Sequence, residues 1–283
     1  MKVLAQWAMA SRKQATVAAA ICLALPMLFW LGSALLALVV LRHGQREGML
    51  VGLWVLLPAI AWFAVGDFTP LFTALGAFAL ALSLRQNIRL DWAVMLSSLL
   101  GVALYWLLPV LAPDTITLLM DMGSKAFKEI MAEQTTLLAQ LEPMLAPMLI
   151  GVIAALHSLA CILSLLLARY WQSELYNPAG FGQEFRQLRL PLAFSLPTLL
   201  LLLAASSIPS TLVGILPALT IPMVLAAVAL LHFVVKHKQA GTQWLVLFYA
   251  ALVFFGPYIY TLLIFVAVLD SALHLRLRFK DTA

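Results

Sequence analysis

Residues 169–191 read RYWQSELYNPAGFGQEFRQLRLP, and everything around them is bilayer material. Arg169, Glu174, Glu184, Arg186 and Arg189 surround a core of Tyr176-Asn177-Pro178-Ala179-Gly180-Phe181-Gly182. Proline cannot continue a helix and restricts Asn177 before it, while Gly180 and Gly182 permit turns with positive φ. The stretch is expected to be a structured turn with short amphipathic flanks. Its basic residues mark it as a cytoplasmic loop.

Outward from this island the chain becomes strongly apolar. Hydrophobic residues make up 64% and charged residues 10%, and mean hydropathy is +1.03. Soluble domains carry about 25% charged residues, so the fold class is all-α: a polytopic transmembrane bundle forming one integral membrane domain over residues 1–283. The formal charge of +5 is better explained by loops held at an anionic leaflet than by nucleic acid. Cys22 and Cys161 sit in apolar runs without ligand spacing, so neither a disulfide framework nor a metal site is indicated. Lys2, Arg12 and Lys13 precede an apolar run lacking a small-residue cleavage site, which reads as a retained membrane segment.

The charge-free runs are 14–41, 49–66, 68–84, 92–112, 143–168, 190–206, 211–235 and 242–269, with Pro26 and Gly256-Pro257 near the middle of the first and last. Length alone allows eight, nine or ten segments. Were both ambiguous runs single spans, Arg42, Arg46, Arg85, Arg89, Arg169, Arg186, Arg189, Lys236 and Lys238 would face outward, nine of the 17 Lys and Arg. Folded as hairpins, they leave only Lys125 and Lys128 outside. The positive-inside rule selects the hairpins: ten segments in a bacterial inner membrane, with both termini cytoplasmic. Four helices of about 13 to 18 residues then need shelter, or a locally thinned bilayer. Residues 113–142 become the long external loop. Phe127, Ile130, Met131, Gln134, Leu138, Leu141 and Leu145 form a helical stripe there, suited to the outer surface or to capping a cavity.

Ionisable groups at membrane depth are the places to look for function. His157 lies midway along 143–168 with Ser158, Cys161 and Ser164 near it in helical spacing; it either meets a ligand or bonds a neighbouring helix. Asp67, before Thr69-Pro70, is a turn and N-cap residue or sits at the mouth of a binding cavity. Asp270 is placed to pair with the basic tail at His274 and Arg276. Pro197, Pro209, Pro217 and Pro222 make 190–235 irregular, as in transporters with broken helices. Trp54, Tyr105, Trp106, Trp244 and Tyr258 fit an aromatic belt. No hydrolase, metalloprotease or phosphate-loop motif occurs, so no catalytic residue and no cofactor is assigned and an enzyme is not expected.

The run Arg169-Tyr170-Trp171-Gln172, Leu175-Tyr176-Asn177-Pro178-x-Gly180-Phe181, Glu184-Phe185 and Leu188-Arg189-Leu190 resembles the central cytoplasmic loop of the YybS-like family of bacterial inner-membrane proteins, a domain of unknown function. Leu269-Asp270-Ser271 with Arg276 is similar to that family's C-terminal end. Through Leu41-Arg42-x-Gly44-x-x-x-Gly48 the chain more distantly resembles substrate-binding S-components of energy-coupling-factor transporters. That resemblance implies partner docking through Ala-x-x-x-Ala, which Ala15 and Ala19 match. The chain differs from S-components in its extra C-terminal segments and long external loop. Two functions follow: a small-solute transport component with a cavity near His157, or a non-transporting partner in envelope biogenesis. In the second, Arg169, Tyr176, Asn177, Pro178, Gly180 and Phe181 dock another membrane subunit or a cytoplasmic protein.

Overall fold

A computed structural model describes residues 2–87, 89–131 and 135–280. The fold is an all-helical bundle, with no strand among the described residues. At its centre is α3 (Phe29–His43), buried without interruption from Gly32 to Leu41. An all-round apolar helix is stable only when enclosed, and α3 is wrapped by α2 (Arg12–Ala24), α4 (Gln45–Ala64), α5 (Thr69–Asn87) and α8 (Thr135–Tyr176). A short α1 (Lys2–Met9) precedes α2, whose first turn is capped by Ser11 accepting from the Gln14 amide at 3.2 Å. Gly32 lets α2 and α3 touch: a Cβ there would lie 2.8 Å from the Ala19 carbonyl oxygen. α3 ends at Gly44, whose φ is 95°, and its last carbonyls are taken up by side chains. Arg85 donates to Leu41 O at 2.7 Å and Gln172 donates to the same oxygen at 3.2 Å.

The remaining elements are α6 (Leu90–Leu111), α7 (Pro113–Ile130), α9 (Gly180–Gln187), α10 (Leu192–Leu203), α11 (Ser210–Val213), α12 (Leu216–His237), α13 (Gln243–Phe254), α14 (Gly256–Leu273) and α15 (Leu275–Lys280). All ten predicted hydrophobic segments are helices: α2 to α6, α8, α10 and α12 to α14. Five stretches are long and apolar enough to cross a membrane: α4, α6, Leu141–Tyr176, Ser210–His237 and α14; α9 with α10, bent by 57°, makes a sixth if counted as one broken span. This is a multi-pass membrane protein.

Both ambiguous runs fold as hairpins. Ala15 lines the same pocket as Val39 and His43, while Leu23 meets Gly32, so α2 and α3 are antiparallel. Thr220, early in α12, bonds Tyr260, early in α14; at the other end Arg276, just beyond α14, lies over Phe233, late in α12. α12 and α14 are therefore parallel, and α13 runs back between them. One end of the bundle consequently gathers the basic residues: Lys2 pairs with Glu174, Arg42 covers the Tyr176 ring, and Arg189 donates to Ser271 O. Lys125 and Lys128 sit on α7 at the opposite end, where Thr115 donates to Gly66 O.

Four expectations are corrected. The stretch 113–142 is not one loop with one stripe: α7 ends at Ile130 and α8 begins at Thr135, so the stripe crosses a break. Glu133, Gln134 and the Leu138 side chain fall outside the described residues. α7 instead packs through Ile116 and Gly123 and leaves Ile130 80% exposed. α8 runs 42 residues, through Pro143 and Pro147 and on into the island as far as Tyr176. Each proline removes one intrahelical bond, and the long Leu- and Ala-rich runs on either side keep the helix continuous. Third, the run 190–206 is not one span, because α10 stops at Leu203 in successive turns before Pro209. Fourth, Tyr105 leaves the aromatic belt: it is 6% exposed and packs against Gly214.

Candidate functional site

His157 is nearly buried on α8, but its imidazole is turned toward α5. Nδ1 lies 2.7 Å from Ile153 O and Nε2 3.3 Å from the Thr69 hydroxyl, with the ring 5.0 Å from that of Phe68. Asp67 accepts from the Thr69 amide at 2.9 Å, the N-terminal turn of α5. The two candidates thus meet at Thr69 in a contact between helices, the second of the readings given above for His157.

The docking candidates divide. Ala15 and Ala19 are 3% and 1% exposed, packed inside the protein's own α2–α3 hairpin, and present no free Ala-x-x-x-Ala face. In the island, Trp171 is fully buried and Arg169 donates to Glu184 at 2.8 Å. Ser173 donates to Asn177 O at 2.8 Å and accepts from the Phe181 amide at 2.9 Å, closing the turn. The positive φ falls on Ala179, at 70°, and not on Gly180 or Gly182. Gly180 serves close approach instead, since a Cβ there would lie 2.8 Å from Asn177 Nδ2. Tyr176 to Ala179 form the exposed tip.

A clasp secures the island to the chain's C-terminal part. Arg276 donates to the Asp270 carboxylate, to Leu188 O at 2.7 Å and to Arg186 O at 3.1 Å. Arg189 donates to Asp270 O at 3.1 Å and Ser271 O at 2.6 Å, capping α14. Burial pushes the Arg276 guanidinium below its usual value, and the Asp270 carboxylate opposes that shift.

The largest opening lies elsewhere and was not anticipated from sequence. A cleft of about 810 Å³ runs along α8 beside Leu141, Met144, Met148, Val152, Leu156 and Leu159. These recur every three or four residues, one face of the helix. His157 is one residue, about 100° of helix rotation, from Leu156 and does not line the cleft. The opposite wall is Leu202 and Ser206 at the end of α10, with Val213 and Pro217 around α11. Thr220, Tyr260 and Ile264 close the floor. The cleft exists because its neighbours are short. α10 and α13 have 12 residues each, about 18 Å of helix, against about 30 Å of hydrocarbon. Leu159 stands ten residues, about 15 Å, from Arg169, and Leu141 about 42 Å. The cleft therefore occupies the half of the span away from the basic end. Its volume lies within the roughly 300–1,000 Å³ of small-molecule sites. Such a surface can hold an apolar molecule but offers no charge to orient one.

Compared with known proteins, the chain matches no family model, no curated protein and no solved structure.

Proposed function

We propose that this protein is a transport-type component of a bacterial inner membrane that takes up a lipid-like solute from the outer leaflet. In this reading both termini and the island face the cytoplasm, because the basic residues other than Lys125 and Lys128 gather at that end. The observation that carries it is the cleft of about 810 Å³ in the outer half, walled by α8 and by helices that end short of the outer surface. Irregular backbone at membrane depth, as at 204–209, is tolerated where it lines a cavity, and broken helices frame the sites of many transporters. The solute differs from the polar one that a His157 site would have suited.

Saturable labelling by a photoreactive C16 lipid analogue in nanodiscs tests this reading. Met148→Trp fills the cleft wall and is expected to reduce labelling at least severalfold, whereas the same change at Leu53, 69% exposed on α4, leaves it unaltered. Labelling that rises linearly with probe, or that ignores Met148→Trp, sinks the proposal. Docking of a partner through the island is the alternative. Arg169 and Phe181 are already engaged internally, which leaves it the tip from Tyr176 to Ala179.

A further inference from the structure

We infer that the cleft's occupant is a long-chain aliphatic alcohol lying head-inward, its hydroxyl on Tyr260 and Ser206 near the bilayer midplane and its chain running outward along α8. This rests on the lipid-binding reading above and adds the chemistry and direction of the ligand.

The hydrogen inventory of the floor supplies the first argument. Thr220 has one hydroxyl hydrogen, which goes to backbone oxygens of its own helix, Pro217 O at 2.9 Å or Leu216 O at 3.2 Å. The Thr220 and Tyr260 oxygens are 2.5 Å apart, so the hydrogen between them comes from Tyr260. Tyr260 has then spent its only hydrogen and can offer an incoming group nothing but a lone pair. Ser206, exposed on the turn after α10, can both donate and accept. A group that satisfies this pair must donate to one oxygen and accept from the other, which a hydroxyl does. An ester or quinone carbonyl only accepts and leaves the Tyr260 lone pair unused. A hydrocarbon leaves both unused, and burying polar atoms without partners is costly.

Charge and position supply the second. No Lys, Arg, Asp, Glu or His lines the cleft, so a phosphate or carboxylate would enter unpaired. The nearest charges at the outer rim, Lys128 and Glu142, satisfy one another at 2.8 Å. The rim at Leu141, Met144 and Met148 is apolar, while the hydroxyls lie at the closed end. Tyr260 is ten residues, about 15 Å, from Asp270 at the basic end, close to half the hydrocarbon depth. A phospholipid of the outer leaflet presents the reverse arrangement, head at the rim and methyl ends at the floor.

Two hexadecanol photoprobes distinguish these cases in nanodiscs, one with the diazirine beside the hydroxyl and one with it at the chain terminus. The first is expected to label Leu202–Ser210 and the start of α14, and the second Leu141–Met148. Unlabelled hexadecanol should compete better than hexadecane, and both Tyr260→Phe and Ser206→Ala should shrink that advantage by about threefold to tenfold. Tyr260→Phe keeps the ring, so fold and cleft shape are retained. An inverted labelling pattern overturns the inference, as does equal competition by hexadecane in the unaltered protein or an advantage that survives both substitutions. The absence of saturable labelling by either probe is a different result: it removes the lipid-binding reading itself.

Discussion

Replacing Arg276 by methionine keeps the length of the side chain and removes three anchors at once. The Asp270 carboxylate, 2% exposed, loses its hydrogen-bond donor, and the Arg186 and Leu188 carbonyls lose theirs. No other donor reaches that carboxylate among the described residues, because Arg189 bonds the backbone oxygens of Asp270 and Ser271. Breaking one side of a buried ion pair costs about 3–5 kcal/mol, a large share of the roughly 5–15 kcal/mol that holds a native fold. At about 2–4 °C per kcal/mol for chains approaching this size, the melting temperature in detergent should fall by on the order of 10 °C. The double variant Arg276→Met with Asp270→Leu removes the stranded carboxyl and should recover most of the loss. Trypsin should cut the Arg189 region faster in the single variant than in the double. A single variant that melts within about 2 °C of the unaltered protein, or a double variant worse than the single, would refute the electrostatic account of the clasp.

Three further outcomes are expected. Ala179→Gly should raise stability by about 1 kcal/mol by relieving the left-handed backbone, and Ala179→Val should lower it more than Gly180→Ala does, read by thermal unfolding. Gly151→Ala should be far more damaging than Gly256→Ala: a Cβ at Gly151 would lie 1.9 Å from Gly214 O, while nothing lies within 4 Å at Gly256, and membrane accumulation reports the difference. His157→Leu should leave C16 labelling intact and cost about 1 kcal/mol for the lost bond to Thr69; loss of labelling with normal stability would return His157 to the binding site.

The helical class, the two hairpins and the gathering of cations at one end were legible because they rest on composition, length and charge placement. Pro26 and Gly256-Pro257 marked both hairpins, and Asp270 with Arg276 could be paired from spacing alone. The turn at 177–180 was legible as a turn, but its strained residue was not. Sequence assigns positive φ to glycine, whereas here Ala179 takes it because Ser173 holds the backbone on both sides. The cleft was hidden for a different reason. Leu141, Met144, Met148, Val152, Leu156 and Leu159 form an apolar stripe, and in a membrane an apolar stripe reads the same against lipid, protein or a cavity. What separates these cases is where α10 ends, and that depends on turns in an alanine- and serine-rich segment whose composition also suits a helix. His157 was conspicuous as an ionisable group at depth, yet the direction in which it points depends on a register between α8 and α5 that spacing does not encode.

The length of α8 has a mechanical side. Its prolines are confined to positions 143 and 147, so from Met148 to Tyr176 it runs 29 residues, about 43 Å, without an interruption of its hydrogen-bond ladder. One end of that rod forms the wall of the cleft; the other carries Trp171 and Ser173, which fix the cytoplasmic turn. A sideways push at Val152 or Leu156 is transmitted along the rod to the island, while a push at Leu141 bends the joint at Pro143 and Pro147. The helix is a lever with its hinge at the outer rim, and the tip from Tyr176 to Ala179 lies at the end of its long arm.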